Sequence, residues 1–293
     1  MTKTQPGILA EVPRHALYLF FSLKPETDPT DSLKVLANFA NGENIVVGLG
    51  LSLVTSLGKK VKGLGAFPVR SGPGFDVPST PASLWVWLRG DDRGMLLHES
   101  LRVEGLLSES FELSNRIDAF QYRDSRDLTG YEDGTENPEG DDAINAGIVQ
   151  KKNAGVNGSS FVAVKQWVHN LKVFQDMPQQ ELDYTFGRRI SDYEEIEEAP
   201  DSAHVKRTAQ EDFEPEAFVL RRSMPWSDSK QAGLVFVAFG HSFDAFEAIQ
   251  NRMLGKEDGI SDALYSFTRP ISGAYYWCPP IKEGVLDLSR LGI

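Results

Sequence analysis

Apolar and polar positions along the chain fall into segments of two periods. HALYLFFSL (15–23) is a continuous apolar run of strand length, rich in aromatics, and ENIVVGLGL (43–51) is a second. Between them, residues 28–41 place Leu33, Val35, Leu36 and Phe39 at helical spacing, with Thr30 or Asp31 as the expected N-cap. Gly and Pro punctuate 63–83, which reads as loop. A third strand is expected over 84–88, a helix with an acidic start over 91–106, and a long alternating strand over 108–123.

A polar, glycine-rich stretch (124–158) follows, and then the order of elements recurs. Strands are expected at 159–171, 217–222, 233–240 and 273–278, with helices at 178–188 and 243–254. The strict alternation of a parallel sheet is missing from both halves. The pattern therefore predicts an α+β chain of two fused halves, each an antiparallel sheet with helices on one face. The division falls at 1–140 and 141–293, the two forming one integrated unit. The apolar tail 286–293 reads as a frayed end.

Charge and composition narrow the function classes. A chain of 293 residues with a formal charge of −12 repels phosphate backbones, so nucleic acid is not an expected partner. The acid is concentrated at 192–198 and 211–216, where a solvated face is the simplest reading, although such blocks disfavour anionic substrates at any nearby opening. No apolar run approaches membrane-spanning length, and the first residues lack an export signal, so a cytoplasmic, membrane-free protein is expected. Cys278 is the single cysteine, which rules out an internal disulfide and cysteine-rich metal centres.

The stretch DLTGYEDGTENPEG (127–140) is the most unusual in the chain. Its glycines permit turns that side chains would block, and its carboxylates come in quick succession. It reads either as a surface loop joining the halves or as a functional loop. A calcium loop of the EF-hand kind fails, because centring it on Gly130, Gly134 or Gly140 puts Ser125, Thr129 or Thr135 at the leading ligand position.

Gly130-x-x-Asp133-Gly134, extended through Thr135-Glu136-Asn137-Pro138, resembles the GxxDG signature of the dye-decolourising (DyP-type) haem peroxidases. The resemblance continues elsewhere. Ser202-Ala203-His204-Val205-Lys206-Arg207 is similar to the family's proximal segment, FVLRRSMP (218–225) to the strand carrying its distal arginine, and 260–273 to its C-terminal segment. VPSTP (77–81) and LWVWLRGDDRG (84–94) also resemble the family's first half.

The resemblance implies a duplicated ferredoxin-like α+β fold of the dimeric α+β barrel type, and one haem b per chain. His204 would ligate the iron and Asp262, with Asp258 as second choice, would accept a hydrogen bond from it. Arg207 would meet a propionate, and Gly134, Thr135, Glu136 and Ser223 would complete the cofactor site. Asp133 and Arg221 would be the catalytic pair acting on hydrogen peroxide, with Arg221 and Ser223 sharing a strand face and Arg222 opposed to it. Dyes, phenols or other small aromatic donors would supply electrons through a ferryl haem intermediate, and a homo-oligomer is expected. Tyr131, Trp226, Tyr265 and Tyr275 to Trp277 are candidates for electron transfer, though ordinary packing accounts for each. A haem carrier and a cofactor-free domain are the rival readings. Asp133 with Arg221 argues against the first, and His204, Arg207 and Asp262 together argue against the second.

Overall fold

The computed structural model describes residues 2–132, 136–150 and 156–293. Asp133, Gly134 and Thr135 lie outside the described residues. The first half runs β1 (His15–Leu23), α1 (Thr30–Phe39), β2 (Ile45–Gly50), β3 (Leu84–Gly90), α2 (Arg93–Leu107) and β4 (Phe111–Phe120). A helix, α3 (Gly140–Gly147), leads into the second half. That half comprises β5 (Ser160–His169), α4 (Gln179–Phe186), α5 (His204–Thr208), β6 (Leu220–Arg221), β7 (Met224–Ser227), β8 (Ala232–Gly240), α6 (Asp244–Met253), β9 (Thr268–Pro270) and β10 (Ala274–Cys278).

The strands form one antiparallel sheet ordered β9-β5-β10-β2-β3-β1-β4-β7-β8-β6, and a further β5–β8 pairing closes it into a barrel. Within each half the order is that of a ferredoxin-like unit: β4-β1-β3-β2 in the first, β10-β5-β8-β7 in the second. The halves meet edge to edge. Tyr276 and Trp277 pair with Gly50 and Leu49 at one seam, and Trp226 pairs with Ala119 at the other. The ring leaves neither half an open edge there, which removes a route to aggregation.

Alternation along the strands sends one set of side chains inward and the other toward the helices. Tyr18, Trp85, Trp87, Phe239 and Tyr276 fill the barrel, with Trp85 and Trp87 both fully buried and stacked near Tyr18. The outward row of the first half, including Leu19, Val47 and Val86, packs on Leu33 and Leu36 of α1 and Val103 and Leu107 of α2. No helix among the described residues is long and apolar enough to cross a membrane.

Several expected elements change on folding. The N-cap position of α1 is Pro29, not Thr30 or Asp31, and no side chain caps the helix from there; Oδ1 of Asp28, one residue earlier, accepts from Thr30 N at 2.9 Å. Asp92 caps α2 by accepting from Met95 N at 2.9 Å. The presumed loop 63–83 contains a hairpin, Arg70–Gly72 with Phe75–Val77. The tail is not frayed: Val285–Leu286 pairs with Ile281–Lys282, which pairs with Thr2–Lys3, and Leu288 and Leu291 are buried.

Candidate active site

In the second half the helix layer stands off the sheet and leaves a cleft that is partly open to solvent. Lys165, Trp167, Leu234, Phe236 and Arg221 line its sheet wall. These residues share a face because Lys165 is registered with Phe236 and Arg221 with Ala238. His204 and Thr208 of α5, with Phe246, Ile249, Gln250 and Met253 of α6, line the opposite wall.

His204 is the first residue of α5 and lines both the cleft and its mouth. Its Nδ1 lies 2.7 Å from Oδ2 of Asp262, whose side chain is fully buried. The other carboxylate oxygen of Asp262 accepts from Leu264 N at 2.9 Å, so the acid is fixed before it orients the imidazole. Among the described residues no hydrogen bond reaches His204 Nε2. The helix is set in place by Gly187, the left-handed C-cap of α4 at φ +82°. A Cβ there would come 2.3 Å from Cγ1 of Val205.

Arg207 does not face the cleft, contrary to the propionate contact expected of it. One turn of α5 carries it to the side facing α6, where it is buried and forms a two-pronged pair with Asp258 at 2.7 and 2.9 Å. Its Nη2 also donates to the carbonyl of Arg252 at 2.9 Å. Asp258, the second choice for the histidine's partner, is thus taken by Arg207, which holds its carboxyl below the usual range.

Arg221 and Arg222 diverge as period two requires: Arg221 lines the cleft, while Arg222 donates to the carbonyl of Leu9 at 2.9 Å. Ser223 does not join Arg221 on the wall. The strand breaks between β6 and β7, and the Ser223 hydroxyl meets Val237 N at 3.4 Å instead.

The loop before the described gap is clamped at several points. Tyr131 is buried, stacks on Phe186 at 3.7 Å and donates to Oδ1 of Asp183 at 2.5 Å. Burial and the adjacent carboxylate push its phenol pKa well up, so it stays protonated. Asp127 accepts from Thr129 N and Oγ1 at 2.9 and 2.6 Å, and lies 2.9 Å from Nε2 of His169. Burial opposes its ionisation, but the contacts with His169 and Thr129 win and hold its pKa low. Beyond the gap, Asn137 bonds both backbone groups of Arg221, and Gln210 donates to the carbonyl of Glu136 at 2.8 Å.

Sequence reasoning missed Asp127, His169 and Asn137 as parts of this site. The available signal for His169 was its register: residues 163, 165, 167 and 169 share one face of β5. The remaining aromatic candidates divide by place. Trp226, Tyr275, Tyr276 and Trp277 are core residues, whereas Tyr265 is half-buried and lies 5.5 Å from Trp167 of the cleft wall.

The mouth is acidic. Glu132, Glu136, Glu195 and Glu211 line it together with Arg188, which pairs with Glu136 at 2.8 Å and with Glu195 at 2.5 Å.

Residues 124–283 match the family model described as Dyp-type peroxidase, C-terminal. The chain belongs to the Dyp-type peroxidase family. Among curated relatives of this peroxidase, the dye-decolorizing peroxidase of Rhodococcus erythropolis is 27% identical over 82% of this chain and 73% of its own. That of Mycobacterium tuberculosis is 25% identical over 81% of this chain and 73% of its own. Among solved structures, a putative dyp-type peroxidase from Shewanella oneidensis superposes with a TM-score of 0.88 at 26% identity, covering 99% of this chain and 98% of that one. A variant of DypB from Rhodococcus jostii RHA1, in complex with haem, superposes with a TM-score of 0.86 at 22% identity, over 93% and 94% of the two chains. At that identity it attests the shared fold.

Proposed function

We propose that this Dyp-type peroxidase holds one haem b in the cleft and reduces hydrogen peroxide at the expense of small aromatic one-electron donors. The observation that carries the reading is the His204–Asp262 pair, with Nδ1 engaged at 2.7 Å by a buried carboxylate and the ring set in the cleft wall. A second hydrogen bond of this kind is the usual support of an iron- or zinc-binding imidazole. The donor set fits the group: an imidazole on one wall, an arginine on the other, and flat apolar side chains around both.

Haem, when bound, supplies an iron that changes oxidation state, which no side chain in the cleft does. His204 would hold that iron through Nε2. Asp262 accepts the Nδ1 proton, fixes the tautomer and makes the imidazole a stronger donor. On the sheet side, Arg221 would stabilise negative charge as the O–O bond breaks. We assign the proton to Asp133, which takes it from one peroxide oxygen and returns it to the other. The support for Asp133 is its place in the chain, between Glu132 and Glu136, both of which line the mouth. Arg188 is paired with two of the mouth's carboxylates, so neutral or cationic phenols and dyes are the favoured donors. Cytoplasmic residence suits a chain whose one cysteine is buried and unpaired.

The visible spectrum of the purified protein, with haemin added if needed, tests the proposal. A Soret band that shifts on adding peroxide supports it. A band that peroxide leaves unchanged would point to a carrier, and no band after haemin addition would sink the haem assignment.

A further inference from the structure

One group on the sheet wall has no part in the proposed peroxide chemistry. Lys165 points from β5 into the cleft and is 2% exposed. Its Nζ donates to Oε1 of Gln250 and lies 4.6 Å from the ring centre of Trp167, 5.2 Å from that of Phe236 and 5.3 Å from that of Phe246. All four neighbours line the same cleft. The amide of Gln250 is held by its other end, where Nε2 donates to Tyr265 at 3.2 Å. No carboxylate forms an ion pair with Lys165 among the described residues. A leucine or methionine would fill this position without the cost of desolvating an amine.

We propose that Lys165 sets a positive charge against the cofactor in the cleft and raises the reduction potential of its iron, opposing the effect of Asp262 through His204. This rests on the haem reading above. Ferric haem carries one more positive charge than ferrous haem, so a neighbouring cation favours the reduced form. Asp262 acts in the opposite sense by enriching the imidazole. Low-dielectric surroundings leave the charge of Lys165 poorly screened.

The charge is also adjustable. Burial pushes the Lys165 amine down to about 7, Arg70 pushes the same way and Asp262 opposes them. Below that value the ammonium is present; above it the amine is neutral. The other charged groups around it are engaged. Arg70, on the hairpin, pairs with Glu247 of α6, which also accepts from Tyr275 of β10. Asp262 is bonded to His204, and burial keeps Tyr265 protonated. On β8 the neighbours are Leu234 and Phe236, which carry no charge, and Arg221 of β6 lies on the same wall.

The test is a spectroelectrochemical titration of the haem-loaded wild type, Lys165→Met and Lys165→Gln between pH 5.5 and 8.5, with haem loading followed by the Soret band. The expected result is a higher midpoint potential for the wild type at pH 6, with the gap to both variants closing as the pH rises past 7. Lys165→Gln keeps a donor for Gln250, so it separates charge from packing should Lys165→Met load poorly. Equal potentials at pH 6, or a gap independent of pH, would overturn the proposal. A wild type that takes up no haem would overturn the cofactor reading itself and this proposal with it.

Discussion

Asn137 and Arg221 are bound as though they were strand neighbours: the Asn137 amide donates to the Arg221 carbonyl at 2.9 Å and accepts from its N–H at 2.8 Å. The final part of the GYEDGTENP loop is thereby tied to the strand that aims the cleft's arginine. Asn137→Ala removes both of these bonds, although the Arg221 carbonyl keeps the one it accepts from Arg222 Nη1 at 3.0 Å, a loss of about 1–3 kcal/mol. The expected outcome is a lower melting temperature together with slower reaction with peroxide, measured by stopped-flow at the Soret band.

Removing the arginine itself has a different signature. Arg221→Leu should retain haem, since His204 lies on the other wall, while slowing peroxide cleavage by roughly 10²–10³-fold, the scale for losing one charge-stabilising group. Asp133→Asn should slow the same step by roughly 10²–10⁴-fold. Full rates in both variants would refute the assigned roles.

Much of the fold was legible because the signals were local. The run 15–23 is β1 to the residue, and the helical spacing of Leu33 and Leu36 marks α1. The α3 helix was hidden by the glycines that begin and end it, Gly140 and Gly147. For the site, the resemblance to the Dyp-type family singled out His204 and favoured Asp262 over Asp258, but it could not give a direction. Arg207, three residues after His204, turned to Asp258 because three residues of helix also reach a neighbouring face. Ser223 was lost to a strand break no local propensity announced. Lys165 was written in plain view, as a charge on the helix-facing register of a largely apolar strand.

Gly187 is a position where backbone geometry and packing coincide. Gly187→Ala meets both the left-handed strain at φ +82° and the 2.3 Å approach to Val205. A destabilisation of about 1–3 kcal/mol is expected, with haem loading lowered as α5 shifts. Thermal melting and the Soret-to-protein absorbance ratio check it.

Asp127 makes the loop sensitive to acid. Its folded pKa lies below its unfolded value of about 3.9. Its contribution is therefore complete above that value and lost as the pH falls through the folded one. Melting temperatures measured from pH 7 down to 3 should fall at the acid end in the wild type. Asp127→Asn should start lower and lose less over the same range; an unchanged slope would count against the assignment.

The acidic mouth predicts a charge preference among donors. An anionic dye should be oxidised more slowly than a neutral phenol at low salt, and added salt should narrow the difference. Replacing Glu211, a mouth carboxylate with no ion pair among the described residues, by Gln should raise kcat/KM for the anionic dye and leave the phenol nearly unaffected.

The standing-off of the helix layer in the second half also bears on how sequence change is tolerated. In the first half the crossover between the first two strands is α1, packed flat on the sheet; in the second it is the longer path that carries α4 and α5. One crossover is a lid nailed down, the other a lid on legs. Insertions, deletions and substitutions between 170 and 219 can reshape the chamber, its opening and its electrical environment while the filled barrel behind it keeps the same form. Variation in chemistry among chains of this architecture should accumulate in that one crossover and leave its counterpart alone.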